Sequence, residues 1–404
     1  MKYFTFVFGK IAIILTLIFA SLRLISCATT LPGHTFEQRT LGLYVSGTEL
    51  YNKGNYIQAI YLLKQAIDFN SKFAEANYVL GLTYLKTKEY KSAIEMLNKT
   101  KGLKPITEKP GYDEADINFN LGLAYIGLED YNTASENLIE ATTLRKDFAE
   151  AHYNLVFIAE KLSTPKDAYA HLRNTIKADP KMDKAYVALG ILFKNDGLLD
   201  SAQVQFENAI EINKENKSAY NELGKLFREM KKYEQATRYF RRAIQIDPNY
   251  VDAHLNLGFV YVDTNSLEQA QSSFLKVTAV DSTLPDGYMH LAQTNYLLGD
   301  TTAALKNYEK VLKLDSKYNL ANFQIGLILE ARGMREQAMA AYRNEIAINP
   351  KHPESHFNLA ALLNNVGKSS EAIAEYQKFL ALVPENDERA VKVRKVLKQI
   401  EELN

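Results

Sequence analysis

Cysteine is almost absent from this chain, since Cys27 is the only one among 404 residues. A single thiol excludes an intramolecular disulfide, whichever compartment the protein occupies. An excess of either charge is absent as well, because 48 Lys and Arg residues balance 48 Asp and Glu residues. Nucleic-acid-binding modules usually concentrate positive charge, so this composition argues against a nucleic-acid partner.

The apolar run near the N-terminus is too short to span a bilayer. It extends from Ile11 to Leu22 and has 12 residues, whereas a transmembrane helix needs about 20. Lys2 and Lys10 lead into this run. Cationic residues followed by a short apolar stretch predict a signal peptide over residues 1–26.

What the chain does contain is one pattern that recurs every 34 residues. The first position of each unit is small in nine of ten cases: Gly47, Gly81, Gly122, Val156, Gly190, Gly224, Gly258, Ala292, Gly326 and Ala360. Twelve residues later each unit has alanine, and four residues after that it has leucine, phenylalanine or tyrosine. The one irregular step, 41 residues from Gly81 to Gly122, places a seven-residue insertion between repeats 2 and 3. A fixed period with three constant positions indicates a repeat architecture of ten units over residues 40–385.

Each unit reads as two helices. Apolar residues recur at helical spacing, as Tyr220, Leu223 and Phe227 do in repeat 6. Residues tolerant of positive φ stand at one fixed place between the two helices: Gly54, Gly197, Asn265, Gly299, Gly333 and Gly367. Prolines end many of the units: Pro180, Pro248, Pro350 and Pro384. Because proline cannot continue a helix, these positions predict where the second helix stops.

The repeat sequences resemble the tetratricopeptide repeat (TPR) family. The resemblance rests on AYNELGKLF, AHLNLGFVY and SHFNLAALL in first helices and on EQATRYFRRAIQIDP in a second helix. It implies an all-α, right-handed α-solenoid of about ten helix-turn-helix units with a concave groove. The pattern divides the chain into repeats 1–2 at 40–107, an insertion loop at 108–114 and repeats 3–10 at 115–385. The insertion has two possible interpretations, a tolerated surface loop and a hinge.

The segment 386–404 predicts a capping helix. Its apolar residues form one narrow stripe among charges: Val393, Val396, Leu397, Ile400 and Leu403. Such a stripe covers the open end of a repeat array.

The sequence Leu24-Ile25-Ser26-Cys27 resembles the lipobox of bacterial lipoproteins. That resemblance implies a diacylglycerol (palmitate-type) lipid on Cys27 and a lipidated tether over residues 27–39. Ala28 in place of aspartate favours an outer-membrane anchor facing the periplasm. Arg23 departs from the apolar pattern of that family, which leaves an uncleaved anchor or a soluble protein as alternatives.

Catalytic and metal-binding patterns do not stand out from the repeats, so neither an enzyme nor a cofactor or small-molecule substrate is predicted. His352 and His356 are four residues apart, a spacing that suits a metal, but both fit ring positions of the repeat and no metal site is predicted. The GKSS sequence at 367–370 lacks the first glycine of a phosphate-binding loop. The basic residues of repeat 6 alternate with acidic ones, which is typical of a solvated helix face.

The candidate binding surface is a row of first-helix residues. Residues two and three before the small position are the predicted contacts: Asn120, Asn154, Asn256 and Asn358, with Phe119, Tyr153, Phe323 and Phe357. Regularly spaced carboxamides can donate to and accept from the backbone of an extended peptide. The asparagines resemble the ladder in the repeat domain of O-linked glycosyltransferases. The alternative is that the rings pack against adjacent repeats and the asparagines are solvated.

These observations favour a non-enzymatic interaction scaffold, lipid-anchored in a bacterial envelope and binding a protein in its groove. The architecture is similar to lipoproteins that help assemble the outer-membrane secretins of type IV pili, and equally to envelope adaptors of murein enzymes. A substrate-recognition subunit of a separate enzyme and a cytoplasmic co-chaperone are the alternatives.

Overall fold

The computed structural model describes residues 36–108 and 110–403, and within these residues all regular elements are helices, 21 in number. The chain forms two compact units that meet in sequence between Leu192 and Phe193. The helices whose sequence lies wholly in unit 1 are α1 Phe36–Asn52, α2 Tyr56–Phe69, α3 Ala74–Lys86, α4 Tyr90–Lys101, α5 Glu114–Gly127, α6 Tyr131–Leu144, α7 Ala149–Lys161 and α8 Pro165–Ala178. The division falls inside α9, Asp183–Asn195.

Unit 2 continues the alternation of first and second helices. Its helices are α10 Leu199–Ile212, α11 Lys217–Glu229, α12 Tyr233–Ile246, α13 Val251–Asp263, α14 Leu267–Val280, α15 Pro285–Leu297, α16 Thr301–Leu314, α17 Ala321–Ala331, α18 Arg335–Ile348, α19 Pro353–Asn365, α20 Ser369–Leu382 and α21 Glu388–Leu403. Odd-numbered helices up to α19 are first helices and even-numbered ones are second helices. The prediction of an all-α array of about ten helical hairpins with a final helix is confirmed.

A residue with positive φ follows each of the ten first helices. The six predicted positions are confirmed, with φ from 55° at Asn265 to 84° at Gly299. The turn is closed by backbone bonds of the Schellman type, as where the Asp300 N–H donates to the Asn295 carbonyl at 2.9 Å. The remaining four repeats place Lys88, Glu129, Ser163 and Lys231 in the same conformation, although a side chain makes it costly.

The small position lets the two helices of a repeat approach closely. A Cβ atom added to Gly224 would lie 2.5 Å from the Phe240 ring, and one added to Gly258 would lie 2.5 Å from the Phe274 ring. Since real Cβ atoms are not found at such distances, the ring takes the space that the glycine leaves. Both rings are at most 1% exposed.

Successive repeats are also joined by a hydrogen bond that sequence reasoning missed. His254 and His356 use Nε2 to bond the carbonyls of Pro248 and Pro350, both at 3.0 Å. The Tyr186 hydroxyl donates to the Pro180 carbonyl at 3.2 Å in the same way. The carbonyl stands just after a second helix, where no further turn of helix can use it. The ring of the next first helix therefore supplies the missing donor.

The insertion lies inside unit 1, in the connection between α4 and α5. Glu75 of α3 is fully buried, and its carboxylate accepts hydrogen bonds from the Thr107 N–H at 2.7 Å and the Thr107 hydroxyl at 2.8 Å. Burial alone would raise the pKa of Glu75, but these bonds outweigh it and lower the pKa. Farther along the connection, Tyr112 stacks on Tyr78 with ring centroids 4.1 Å apart. The connection is therefore folded against α3.

The final helix packs on repeat 10, as predicted. Ala390 and Val393 join a buried cluster with Tyr376 and Phe379. Val396 and Leu397 pack against this cluster. The side chains of Ile400 and Leu403, which belong to the same predicted stripe, lie outside the described residues.

Candidate functional site

The predicted lipid attachment at Cys27, the signal peptide and most of the tether lie outside the described residues. Over 36–108 and 110–403, none of the helices has the length and apolar character needed to cross a membrane.

An apolar pocket of about 410 Å³ lies in unit 2 across repeats 7, 8 and 9. Its apolar lining comprises Phe259, Val262, Phe274, Tyr296, Leu297 and Tyr308. Tyr296 is 41% exposed and Leu297 is 57% exposed. Both exposed side chains belong to α15, and Phe259 and Val262 of the adjacent first helix α13 are half-buried beside them. Exposed large apolar side chains are typical of a recognition surface.

Tyr308 carries a polar atom without a partner into this lining. The residue is 1% exposed, and no hydrogen-bond partner of its hydroxyl is found among the described residues. Burial raises the pKa of the Tyr308 phenol above its usual range, so the hydroxyl keeps its proton. In repeat 9 the equivalent Tyr342 hydroxyl instead donates to Glu330 at 2.7 Å. An unpaired buried hydroxyl is costly, and the Tyr308 hydroxyl is also shielded from solvent.

A polar row runs beside the apolar pocket through repeats 7 to 10. Its members are two residues before the small position in each repeat: Asn256, His290, Gln324 and Asn358. Asn256 donates to the Asn221 carboxamide oxygen at 3.1 Å, and Asn358 donates to the Tyr342 hydroxyl at 3.4 Å. His290 and Gln324 line the apolar pocket itself. Burial lowers the pKa of His290, which favours the neutral imidazole.

A charged pocket of about 440 Å³ adjoins this region in repeats 5 to 7, within unit 2. Its charged lining comprises Lys194, Lys225, Arg228, Lys231, Glu229 and Asp263. Buried Glu222 pairs with both Lys194 and Lys225, each at 2.7 Å. The Arg228 Nε atom is 2.6 Å from the Asp263 carboxylate, and its guanidinium lies over the Phe259 ring at 5.1 Å from the centroid. Arg228 therefore connects the charged pocket to the apolar pocket.

The predicted contact residues are divided between the two units, with four in each. In unit 1, Asn120 and Asn154 donate to carbonyls of their own helices, at 2.7 and 2.8 Å. Phe119 packs against Phe148 with centroids 4.8 Å apart. Lys184 places its ammonium 4.4 Å from the centroid of the Tyr153 ring.

The predicted rings of unit 2 are also packed against neighbouring helices. Phe323 lies 4.7 Å from the His352 ring, centroid to centroid, and Phe357 lies 5.2 Å from the Phe379 ring. Both are half-buried. This packing is what the alternative reading of the rings expects. Of the predicted asparagines, Asn256 lines the charged pocket.

Tyr296 and Leu297 are the functional candidates that sequence reasoning missed. Tyr296 occupies the position four after the small residue, which is charged or amide in repeats 4, 5, 6, 9 and 10. A comparison of that position between repeats would have marked Val262 and Tyr296 as an apolar pair in adjacent units.

The other candidate motifs have structural roles. His356 is bonded at both ring nitrogens, to Glu375 at 2.5 Å and to Pro350 at 3.0 Å. Gly367 is the positive-φ turn residue of repeat 10. In the part of the chain that the structure describes, no cluster of three or more His, Cys, Asp or Glu side chains is arranged for a metal ion.

The helices define a repeat protein built of helical hairpins, and comparison with known families gives its class. Models described as tetratricopeptide repeat match residues 74–107, 115–148, 251–283, 285–318 and 341–374. One described as TPR repeat matches 47–88 and 224–265. Since these matches together span more than half of the chain, it belongs to the tetratricopeptide repeat family. Members of this family bind protein or peptide partners, and no enzymatic family is indicated.

Solved structures similar to this chain include three TPR proteins. YrrB, described as having an unusual peptide-binding site, is 23% identical over 47% of this chain and 97% of its own, with a TM-score of 0.41. PilF of Pseudomonas aeruginosa is 20% identical over 50% and 92%, with a TM-score of 0.45. PilW, described as a widely conserved type IV pilus biogenesis factor, is 17% identical over 52% and 97%, with a TM-score of 0.47. Comparison with curated proteins gives no significant match.

Proposed function

We propose that this protein is a non-enzymatic scaffold that binds an extended protein segment along the first helices of unit 2. The observation that carries the proposal is the apolar pocket, with Tyr296 and Leu297 exposed at its lining. The polar row beside it supplies donors and acceptors for a peptide backbone. In this proposal Asn256, Asn358, Phe323 and Phe357 are the predicted contacts on unit 2. Asn120, Asn154, Phe119 and Tyr153 form a second candidate surface on unit 1.

The cellular setting in this proposal comes from the N-terminal sequence. A lipid on Cys27 and the short tether that follows would hold the repeats at the periplasmic face of the outer membrane. Assembly of an envelope complex, such as a pilus secretin, is the task that this architecture suits. Service as an adaptor for a murein enzyme requires the same anchor and the same groove.

Site-specific photo-crosslinking in the native envelope tests the groove. A photoreactive amino acid at Tyr296 should give a discrete crosslinked protein, whereas one at Leu275, a half-exposed residue of α14, should not. Equal labelling from both positions would contradict a groove partner. An enzyme captured at Tyr296 would instead support the substrate-recognition alternative.

The anchor is tested separately by mass spectrometry and fractionation. The wild-type chain should begin at a diacylated Cys27 in the outer-membrane fraction, and Cys27→Ser should be neither lipidated nor processed. An unmodified Cys27 in the cytosol would remove the envelope setting and would leave the groove proposal intact.

A further inference from the structure

The apolar pocket and the charged pocket share one boundary. Arg228 lies over Phe259, a lining residue of the apolar pocket, and is itself a lining residue of the charged pocket. A single extended segment can therefore contact both, because each residue of extended chain advances only about 3.3–3.6 Å.

The charged pocket carries an excess of positive charge. Four of its lining residues are cationic and two are acidic. The acidic partner of Lys194 and Lys225 is Glu222, whose side chain is only 9% exposed, whereas the Lys225 side chain is 41% exposed. Lys225 thus stands nearer to solvent than the carboxylate that holds it, whereas Lys194 is only 13% exposed. A ligand carboxylate would meet Lys225 before it met Glu222 and would share Arg228 with Asp263, so the charge complementarity favours an acidic ligand group.

The apolar pocket has room for one large side chain. A volume of about 410 Å³ is at the lower end of the range for ligand sites, which is roughly 300–1,000 Å³.

We propose that unit 2 recognises an extended segment in which an acidic residue lies one or two positions from a large apolar residue. The acidic side chain binds at Lys225 and Arg228, and the apolar side chain enters the pocket lined by Phe259, Tyr296 and Leu297. This inference rests on the proposed function and specifies the partner of its groove.

Selection from a displayed library of random, unstructured peptides on the full chain in detergent tests the motif. Peptides with Asp or Glu next to Phe, Tyr, Leu or Ile should be enriched. In synthetic versions, changing the acid to its amide or the apolar residue to Ala should weaken binding about tenfold each, as measured by fluorescence anisotropy.

Matched protein variants identify the binding site. Arg228→Gln should weaken the acidic peptide about tenfold and leave its amide version unchanged, while Arg343→Gln, which removes an ion-paired arginine of similar exposure, should have no effect. Leu297→Gln should weaken binding, whereas Leu275→Gln should not.

The outcomes separate this inference from the function on which it rests. Enrichment of peptides without the acidic–apolar pair, or binding that is indifferent to Arg228→Gln and Leu297→Gln, overturns the motif. Groove crosslinking at Tyr296 would still support the scaffold in that case. If crosslinking also fails, the proposed function fails with it.

Discussion

Repeats 1 to 4 place leucine sixteen residues after the small position, whereas repeats 5 to 10 place phenylalanine or tyrosine there. These residues are at most 5% exposed in every repeat. The turn residue between the two helices also differs. Three of the first four repeats have a non-glycine residue at positive φ, and only two of the last six do. The same 34-residue frame is therefore filled in two ways, and the change coincides with the division between the two compact units.

The difference shows that the repeat requires a side chain that fills the space beside the small position, and that more than one residue type can fill it. Leu138 fills the space beside Gly122, and Phe240 fills the space beside Gly224. A ring contributes more buried apolar area than a leucine, and glycine relieves the strain of a left-handed turn. Unit 2 therefore has the more favourable choice at both positions, and unit 2 also carries the two pockets that adjoin one another.

Truncation of a ring that packs beside the small position should have the largest effect on stability. Phe240→Ala should lower the free energy of unfolding by about 3–5 kcal/mol, because it removes a fully buried ring and leaves a cavity beside Gly224. Urea denaturation followed by circular dichroism, with hydrogen exchange of the repeat 6 amides, measures this loss.

Two variants sharpen that comparison. Leu275→Ala removes a half-exposed leucine and should cost less than about 1 kcal/mol. Leu138→Phe places a ring at the leucine position of repeat 3 and should cost about 1–3 kcal/mol through overpacking. If Leu138→Phe is neutral, leucine and phenylalanine are interchangeable at this position and the distinction between the units does not hold.

The turn residues should give a smaller effect of opposite sign in the two units. Lys88→Gly should raise the free energy of unfolding by up to about 1 kcal/mol, because glycine adopts φ near +64° without strain. Gly299→Ala should lower it by about 1 kcal/mol. Thermal melts of both variants measure the changes. Lys88→Ala is the control, since it retains a Cβ atom, and stabilisation as large as that of Lys88→Gly would argue against relief of strain.

Local features of the fold were accessible from the sequence because they repeat. Gly54 and Gly299 marked the turn, and Lys88 lies 34 residues after Gly54, so spacing alone could have identified its conformation. The bond from Thr107 to Glu75 could not be predicted, since it joins two residues far apart at a place where the period is broken. Only part of the candidate site could be predicted from the sequence. Asn256 followed from the repeat, but its neighbour Arg228 was assigned to a solvated face because charge alternation does not reveal a pocket.

Two pairs of residues at equivalent positions separate the units in their response to acid. In repeat 4, His152 and His171 have ring centroids 6.0 Å apart, and neither Nδ1 atom has a partner among the described residues. In repeat 10, the equivalent residues are His356 and Glu375, which bond at 2.5 Å. Repeat 4 thus pairs two groups that become like charges on protonation, whereas repeat 10 pairs an imidazole with a carboxylate.

Acidification should therefore weaken unit 1 through this pair, as the smallest of these effects. Burial lowers the pKa of both imidazoles, and for His171 the charge of His152 adds to it. Since the pKa of an unfolded imidazole is about 6.5, this contribution to stability is fully present above that pH and is lost as the pH falls below it. Urea midpoints of the wild type measured from neutral to mildly acidic pH should fall with pH. His171→Glu reproduces the pair of repeat 10 and should reduce that fall, and an unchanged slope would show that the acid sensitivity arises elsewhere.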